Sequence, residues 1–362
     1  MTELEKARKI INQVDSKMAE LFTQRMKAVK IVAECKKEHG LQVFDPVREA
    51  EVIERNSQLV EDEELKSYFV NFITSNMEIS KSYQHRLLEG MCVAFSGVKG
   101  AFANIAAKKV FPDAKAVPYP DFKSAYNSVV TGECDCVILP IENSYNGDVG
   151  QVMDLAFFGS LHINGIYDIG IVQNLLAIKG TKLEDIKQVI SHPQALGQCA
   201  DFIKKHSFTA IEAVNTAVAA KQVAECGRHD IAAIGSDEAA DLYGLEKIET
   251  HINESGNNTT RFAVFSRTAK TPSVDDNHFI MLFTVKNEAG ALGEAISIIG
   301  NNGFNLKALK SRPTKELIWN YYFFVEGEGN INSDKGKKML NELAEKCSEI
   351  KVLGNFEKEI SL

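Results

Sequence analysis

Along residues 4–35 the apolar positions recur at heptad spacing. One seam is Leu4, Ile11, Met18, Arg25 and Val32; its partner is Ala7, Val14, Leu21, Ala28 and Cys35. No Gly or Pro interrupts the segment, so the pattern predicts one long helix with a coiled-coil seam. After a break at Gly40, Asp45-Pro46 predicts a second helix, with Asp45 as N-cap and Pro46 at the first position. A third helix is expected from about Glu63 to Leu88. From Met91 onward the pattern changes. Short apolar runs at 91–95, 136–140, 169–178, 189–190, 231–234 and 262–265 read as strands. Helical stretches separate them, at 101–110 and from Asn215-Thr216-Ala217 onward.

This alternation predicts an α/β domain over 91–270, after an all-α module over 1–90. The strand at 169–178 is placed to cross between lobes. A polar linker, 271–276, leads to a third domain at 277–362. There the expected order is strand 278–285, helix 291–301, strands 305–311 and 317–325, helix 334–347 and strand 350–353. That βαββαβ order is the α+β ferredoxin-like pattern.

Composition narrows the classes. The chain has 362 residues, enough for two or three domains, with 44% hydrophobic and 25% charged residues. A net charge of -8 argues against a nucleic-acid footprint. Seven cysteines without a Cys-x-x-Cys argue against a disulfide framework or a zinc site. The charged N-terminus and the short apolar runs argue against a signal peptide and a membrane span. A reduced, cytoplasmic protein without metal or cofactor is expected. Nucleotide binding is not indicated, because neither Gly-x-Gly-x-x-Gly nor a Walker pattern occurs.

The helical module carries cations where a coiled coil has none. Arg25 stands in the apolar seam and requires an anion. Arg8 and Lys36 sit at the edge of the same face. Arg25 and Lys36 are about 16 Å apart on a helix, within joint reach of one ligand. Arg8 is about 25 Å from Arg25, too far for the same ligand. This favours an intertwined helical dimer with sites completed by two chains. Ser80 and Gln84 share one face of the third helix.

This module resembles the all-helical chorismate mutases over its whole length. Arg8, Arg25, Lys36, Asp45, Arg48, Glu49, Ser80 and Gln84 match the family's site positions. The resemblance implies that Arg8 and Arg25 clamp the carboxylates of chorismate, with one Arg supplied by the partner chain. Lys36 and Gln84 donate to the breaking ether oxygen. Asp45 and Glu49 hold the ring hydroxyl, supported by Arg48 and Ser80.

In the α/β domain, Thr260-Arg261-Phe262 lies where a turn at Gly256–Asn258 enters a strand. Glu142-Asn143-Ser144 follows another strand at its carboxyl end, where open α/β sheets bind ligands. Ser191-His192-Pro193-Gln194 follows a third; His192 reads equally as a general base or a turn residue. These stretches resemble the signatures of prephenate dehydratases, in their order and spacing. The family folds this region as two α/β lobes around a cleft, like a type 2 periplasmic binding protein. The resemblance implies that Thr260 donates to the departing hydroxyl of prephenate. Glu142, Asn143, Ser191 and Gln198 orient Thr260 or bind substrate. Arg261 either holds a carboxylate or braces its strand. Ala101 and Ala103 depart from the pattern, standing where the family has hydroxyls.

The C-terminal segment is similar to ACT domains. Gly290-Ala291-Leu292 matches one motif, and Ser311-Arg312-Pro313 three residues of another whose first residue is Glu in the family and Lys310 here. Lys310 points either to solvent or toward a bound ammonium. The whole implies a bifunctional chorismate mutase and prephenate dehydratase, a homodimer or dimer of dimers, with phenylalanine as effector. The alternative is a non-catalytic amino-acid sensor built from a two-lobed binding module and an ACT domain.

Overall fold

The computed structural model describes residues 2–254, 258–314 and 321–362. The expected turn at Gly256-Asn257 and the start of the expected 317–325 strand lie outside them. The chain forms two compact units, Met1–Cys92 with Thr131–Asp135, and Val93–Val130 with Cys136–Leu362.

The first unit is α1 (Glu3–Glu38), α2 (Pro46–Ser57) and α3 (Glu63–Glu89). Its ends follow local chemistry. Thr2 and Glu5 form a capping box, Asp45 accepts from the Arg48 N–H, and Asp62 accepts from two first-turn N–H groups. Only Ala33 is buried on α1. Ile10, Ile11, Val14, Leu21, Phe22 and Val32 are exposed, so the heptad face has no cover within one chain.

The second unit begins with a two-lobed α/β region. In chain order it runs β1 (Cys92–Ser96), α4 (Phe102–Val110), β2 (Lys115–Tyr119), α5 (Phe122–Val130), β3 (Cys136–Asn143), β4 (Gly147–Asp148), α6 (Gly150–Phe158) and β5 (His162–Gly170). It continues with β6 (Asn174–Ala177), β7 (Gln188–Ser191), α7 (Pro193–Gln198), α8 (Ala200–Lys205), β8 (Thr209–Glu212), α9 (Thr216–Cys226), β9 (Ile231–Gly235), α10 (Asp237–Tyr243), β10 (Glu246–Glu249) and β11 (Thr259–Ser266). The strand expected at 169–178 is two strands in different sheets: β5 ends at Gly170 and β6 starts at Asn174. Residues 171–173 carry the chain between lobes. A run of apolar residues cannot reveal that break, since both halves are buried.

The C-terminal domain is β12 (His278–Val285), α11 (Ala291–Asn301), β13 (Asn305–Pro313), β14 (Tyr321–Glu328), α12 (Asp334–Ala344) and β15 (Cys347–Phe356). Its sheet order, β13-β14-β12-β15, is the ferredoxin-like order. The last helix stops three residues earlier than expected, and the last strand of this sheet is longer. A further strand was not foreseen. β16 (Ile360–Ser361) pairs in parallel with β5, giving the first lobe the order β16-β5-β11-β3-β1-β2, with β4 on β3. The second lobe is β10-β6-β9-β7-β8.

The C-terminal domain is bound closely to the first lobe. A Cβ at Gly354 would collide with the Ile163 carbonyl, so β15 approaches β5 backbone to backbone. Lys351 donates to the carbonyls of Ala156, Phe157 and Gly159, which end α6. Arg312 forms a bidentate pair with Asp154 at 2.8 and 3.0 Å. Among the described residues no helix is long and apolar enough to cross a membrane.

The packing of the second lobe fixes a reactivity order. Cys199 is fully buried, and burial, then Glu254, push its thiol up to about 12; Cys226 is exposed. The thiolate is the nucleophile. At about pH 8, maleimide should therefore label Cys226 and spare Cys199 in folded protein. Peptide mass spectrometry showing equal rates would contradict this packing.

Candidate active sites

In the helical unit, α3 gathers groups from both other helices. Arg25 Nη1 donates to Ser80 Oγ and, at 3.3 Å, to the Asn76 carbonyl. Burial lowers the Arg25 pKa. Gln84, one turn beyond Ser80, is buried; its Nε2 reaches the Ser80 carbonyl, and its Oε1 has no partner among the described residues. Glu49 pairs with Lys81 at 2.9 Å. Burial opposes the charge on Lys81, but Glu78 and Glu49 outweigh it and raise its pKa. Lys81 was not foreseen, because its partner lies 32 positions away and no local pattern links them. Lys36 donates to the Val43 carbonyl at 2.6 Å, folding the connection toward α2 back onto α1.

The remaining expected residues stand apart in the single chain. Asp45 caps α2 through the Arg48 N–H at 3.0 Å, and exposed Arg48 pairs with Glu51. Arg8 is exposed on α1, about 25 Å along the helix from Arg25. Beside Arg25 lies an apolar groove of about 590 Å³ between α1 and α3, lined by Leu21, Phe22, Phe69, Phe72 and Ile79 among others.

The second site is a cleft of about 440 Å³ between the two α/β lobes. Thr260, Asn143, Gln198, His192, Gln194 and Gln173 line it. The register Thr260↔Asn143 places the first two side by side on β11 and β3. Asn143 Oδ1 accepts from the backbone N–H groups of Tyr145 and Asn146, both at 3.1 Å. Backbone N–H groups can only donate, so the amide's orientation is fixed and Nδ2 is the donating end. That Nδ2 donates to Thr260 Oγ1 at 2.8 Å and to Asn258 Oδ1 at 3.1 Å. Asn258 Nδ2 then donates to Gln198 Oε1 at 2.9 Å.

The direction of this chain has a chemical consequence. Thr260 Oγ1 already accepts, so its own proton is free to donate. Gln198 has its Oε1 occupied, leaving Nε2 as a second donor. His192 caps α7 by accepting from the Gln194 N–H at Nδ1, 3.2 Å, so the neutral ring carries its proton on Nε2. Burial lowers the His192 pKa and favours that neutral form. α4 begins at the cleft with Ala101 as N-cap and no side-chain cap. Gly100, at φ +86°, makes the preceding turn, which Asn104 braces through the Gly100 N–H. Among the described residues no Lys or Arg lines the cleft. The cleft thus presents neutral donors, a lining suited to an oxyanion-rich ligand. Gln173 supplies the converse group. It is 2% exposed, and its Oε1 has no partner among the described residues. It lies in the crossing that was read as continuous strand, where the sequence carries no signal for it.

Three expected residues face elsewhere. Successive residues of a strand point to opposite faces. With Thr260 and Asn143 in the cleft, Arg261 and Glu142 point behind the sheet, toward the C-terminal domain. Arg261 contacts Glu142, Asp168, Glu326 and Glu359, so its guanidinium is already met by carboxylates of the chain itself. Ser191 is fully buried and donates to the Ile234 carbonyl at 2.7 Å, joining β7 to β9.

In the C-terminal domain, Gly290 enters α11 at φ +89° and Leu292 packs on the core beneath. Ser311 is exposed, Pro313 ends β13, and Arg312 is held by Asp154. Lys310 follows neither expectation: it pairs with Glu142 at 3.1 Å and Asp148 at 2.5 Å.

Comparison with known proteins matches both segments to known families. The Prephenate dehydratase family model matches residues 93–270, and the Chorismate mutase type II model residues 7–85. A solved structure of prephenate dehydratase in complex with L-Phe from Arthrobacter aurescens is 26% identical, with TM-score 0.69, covering 74% of this chain and 90% of that one. A structure described as GqqA, a novel type of quorum quenching acylase, is 28% identical, with TM-score 0.68, covering 75% and 98%. The bifunctional chorismate mutase/prephenate dehydratase of Aquifex aeolicus is 32% identical and matches 99% of each chain. With both family segments in one chain and a relative matched end to end, the protein belongs to the bifunctional chorismate mutase/prephenate dehydratases.

Proposed function

We propose a division of labour among named residues for the two reactions. In the helical unit, Arg25 and Arg8 bind the carboxylates of chorismate, while Lys36 and Gln84 donate to the ether oxygen as that bond breaks. Glu49 and Asp45 receive the ring hydroxyl, Ser80 orients Arg25, and Arg48 supports the acidic pair. The rearrangement is pericyclic, so it needs no proton transfer. Catalysis lies in holding the reactive conformer and in stabilising charge on oxygen.

In the cleft, Thr260 donates to the departing ring hydroxyl of prephenate. As the bond to the carboxylate breaks, its electron pair enters the ring. The C–O bond breaks, carbon dioxide and hydroxide leave, and phenylpyruvate forms. The reaction takes up one proton from bulk solvent (hydronium or buffer acid), which converts the departing hydroxide to water. The observation that carries this reading is the direction of the Asn143–Thr260 bond, which leaves the Thr260 proton free. Gln198 and the α4 N-terminus receive the substrate's carboxylates and ketone. The ring hydroxyl is prephenate's one neutral donor, and Gln173 Oε1 is the acceptor for it.

The exposed heptad face of α1 and the groove beside Arg25 are covered by a second copy, which brings its Arg8 to the site. The ferredoxin-like domain acts as an ACT domain that binds phenylalanine between copies and inhibits the dehydratase. The L-Phe complex of the Arthrobacter relative supports this effector. A sensor without catalysis is the weaker reading, since both site clusters are present in a chain matched end to end by a bifunctional enzyme.

Three experiments follow. Thr260→Ala should cut phenylpyruvate formation by about 10²–10³-fold, the scale of one lost transition-state donor, while prephenate accumulates from chorismate. Lys36→Ala should abolish chorismate use and spare conversion of added prephenate. Loss of both activities from either folded variant would refute separate sites. Mixing Arg8→Ala and Lys36→Ala chains should restore mutase turnover, because one hybrid site escapes both lesions; no recovery in verified heterodimers contradicts a shared site. Gln173→Leu should raise the KM for prephenate about tenfold, the scale of one lost buried hydrogen bond. An unchanged KM would remove Gln173 from the site.

A further inference from the structure

We propose that Glu326, in the C-terminal domain, is a positioning residue for the dehydratase reaction. Together with Glu359 it holds Arg261, and so holds the segment of β11 from which Thr260 projects. The proposal rests on the role assigned to Thr260.

On its β5 edge this segment is paired in regular register from Thr259 to Val264, but on its β3 edge the register is broken. Going toward the strand's start, the pairing of β11 with β3 shifts register between Phe262 and Arg261. Thr260 and Arg261 therefore lie beyond the irregularity, at the end of the strand. A bulge re-aims the side chains beside it, so contact on each face of the strand adds to the β5 ladder in setting where they point. In front, that contact is Asn143 on Thr260. Behind, it is the cluster around Arg261.

The C-terminal domain dominates that cluster. Glu326 accepts from both terminal nitrogens of Arg261, at 3.1 and 2.8 Å, in the bidentate geometry that fixes direction as well as distance. The first lobe's own carboxylates are farther away, Glu142 at 3.4 Å and Asp168 at 3.5 Å. Glu326 is 1% exposed and is itself anchored by His278 Nε2 at 2.8 Å. Glu359 contacts Arg261 and pairs with Lys307 at 3.0 Å. It is delivered by the tail that continues into β16 on the outer edge of β5. A carboxylate this deeply buried is costly unless paired, so it holds its partner firmly. Neighbouring Cα atoms are linked at about 3.8 Å, so a displaced Arg261 carries Thr260 with it. A misplacement of about 1 Å in a reacting group can cost about 10²-fold in rate.

The test is a double-mutant cycle in the full-length protein. Glu326→Gln keeps the shape and removes the charge. It should lower kcat for added prephenate by about tenfold or more, with KM within about twofold and mutase turnover unchanged. In the Thr260→Ala background, the same change should leave the residual rate unaltered, because the effect acts through that hydroxyl. A general loss of structure would lower the rate in both backgrounds and would overturn the proposal. No loss in either would overturn it too. If Glu326→Gln fails to fold, Glu359→Gln, on the less buried tail, answers the same question with the same expected split. Should Thr260→Ala itself keep full activity, the role of Thr260 fails; if it is inactive while Glu326→Gln is normal, only the positioning role fails.

Discussion

Adjacent residues of a β-strand point to opposite faces, and that rule divides the second unit of this protein at Thr260 and Arg261. The hydroxyl faces the cleft and the guanidinium faces the C-terminal domain. The paired strand repeats the division, with Asn143 in front and Glu142 behind. The cleft lining and the contacts to the C-terminal domain therefore share one pair of strands without sharing a side chain. The C-terminal domain contributes Glu326, Glu359 and Lys310 to the rear face, and its tail extends the same sheet.

The two proposed sites are lined by different kinds of group. In the helical unit the proposed ligand groups are cations, Arg25, Arg8 and Lys36, while Lys81 is held by Glu49 and Glu78. The cleft uses oriented neutral donors. An amide chain running from backbone N–H groups through Asn143 and Asn258 to Gln198 sets the direction of its own hydrogen bonds and of the one to Thr260. Among the described residues such a lining adds no fixed positive charge, so in the proposed reaction nothing cationic holds the carboxylate that leaves as carbon dioxide. That suits a reaction in which this charge is lost. In the mutase reaction both carboxylates survive, and a cationic clamp is compatible with turnover.

Much of the organisation was legible in the chain because it is local. Heptads without Gly or Pro marked α1, and the misplaced Arg25 is met within the chain by Ser80 and the Asn76 carbonyl. The switch to short apolar runs marked the α/β lobes, and strand-end polar motifs marked the cleft through Asn143, Gln198 and Thr260. What escaped was set by contacts distant in sequence or by burial on both faces. The 169–178 run looked continuous because each half is buried in its own sheet. Lys81 and Glu49 meet only once α2 and α3 pack. Glu142 and Ser191 were grouped with their neighbours, although strand alternation sends Glu142 behind the sheet and Ser191 makes an inter-strand bond. Lys310 departs in charge from the related motif, and its reason is two acids, Glu142 and Asp148, more than 160 positions earlier. β16 is too short to announce itself; only β5 makes it a strand.

The central claim is that the front of β11 meets the substrate while its back is already occupied. The most direct measurement is a crystal structure of the Thr260→Ala protein soaked with prephenate. The account predicts ligand density between Asn143, Gln198 and Gln173, with Arg261 still paired to Glu326. A substrate carboxylate seated on the Arg261 guanidinium, with Glu326 displaced, would contradict it.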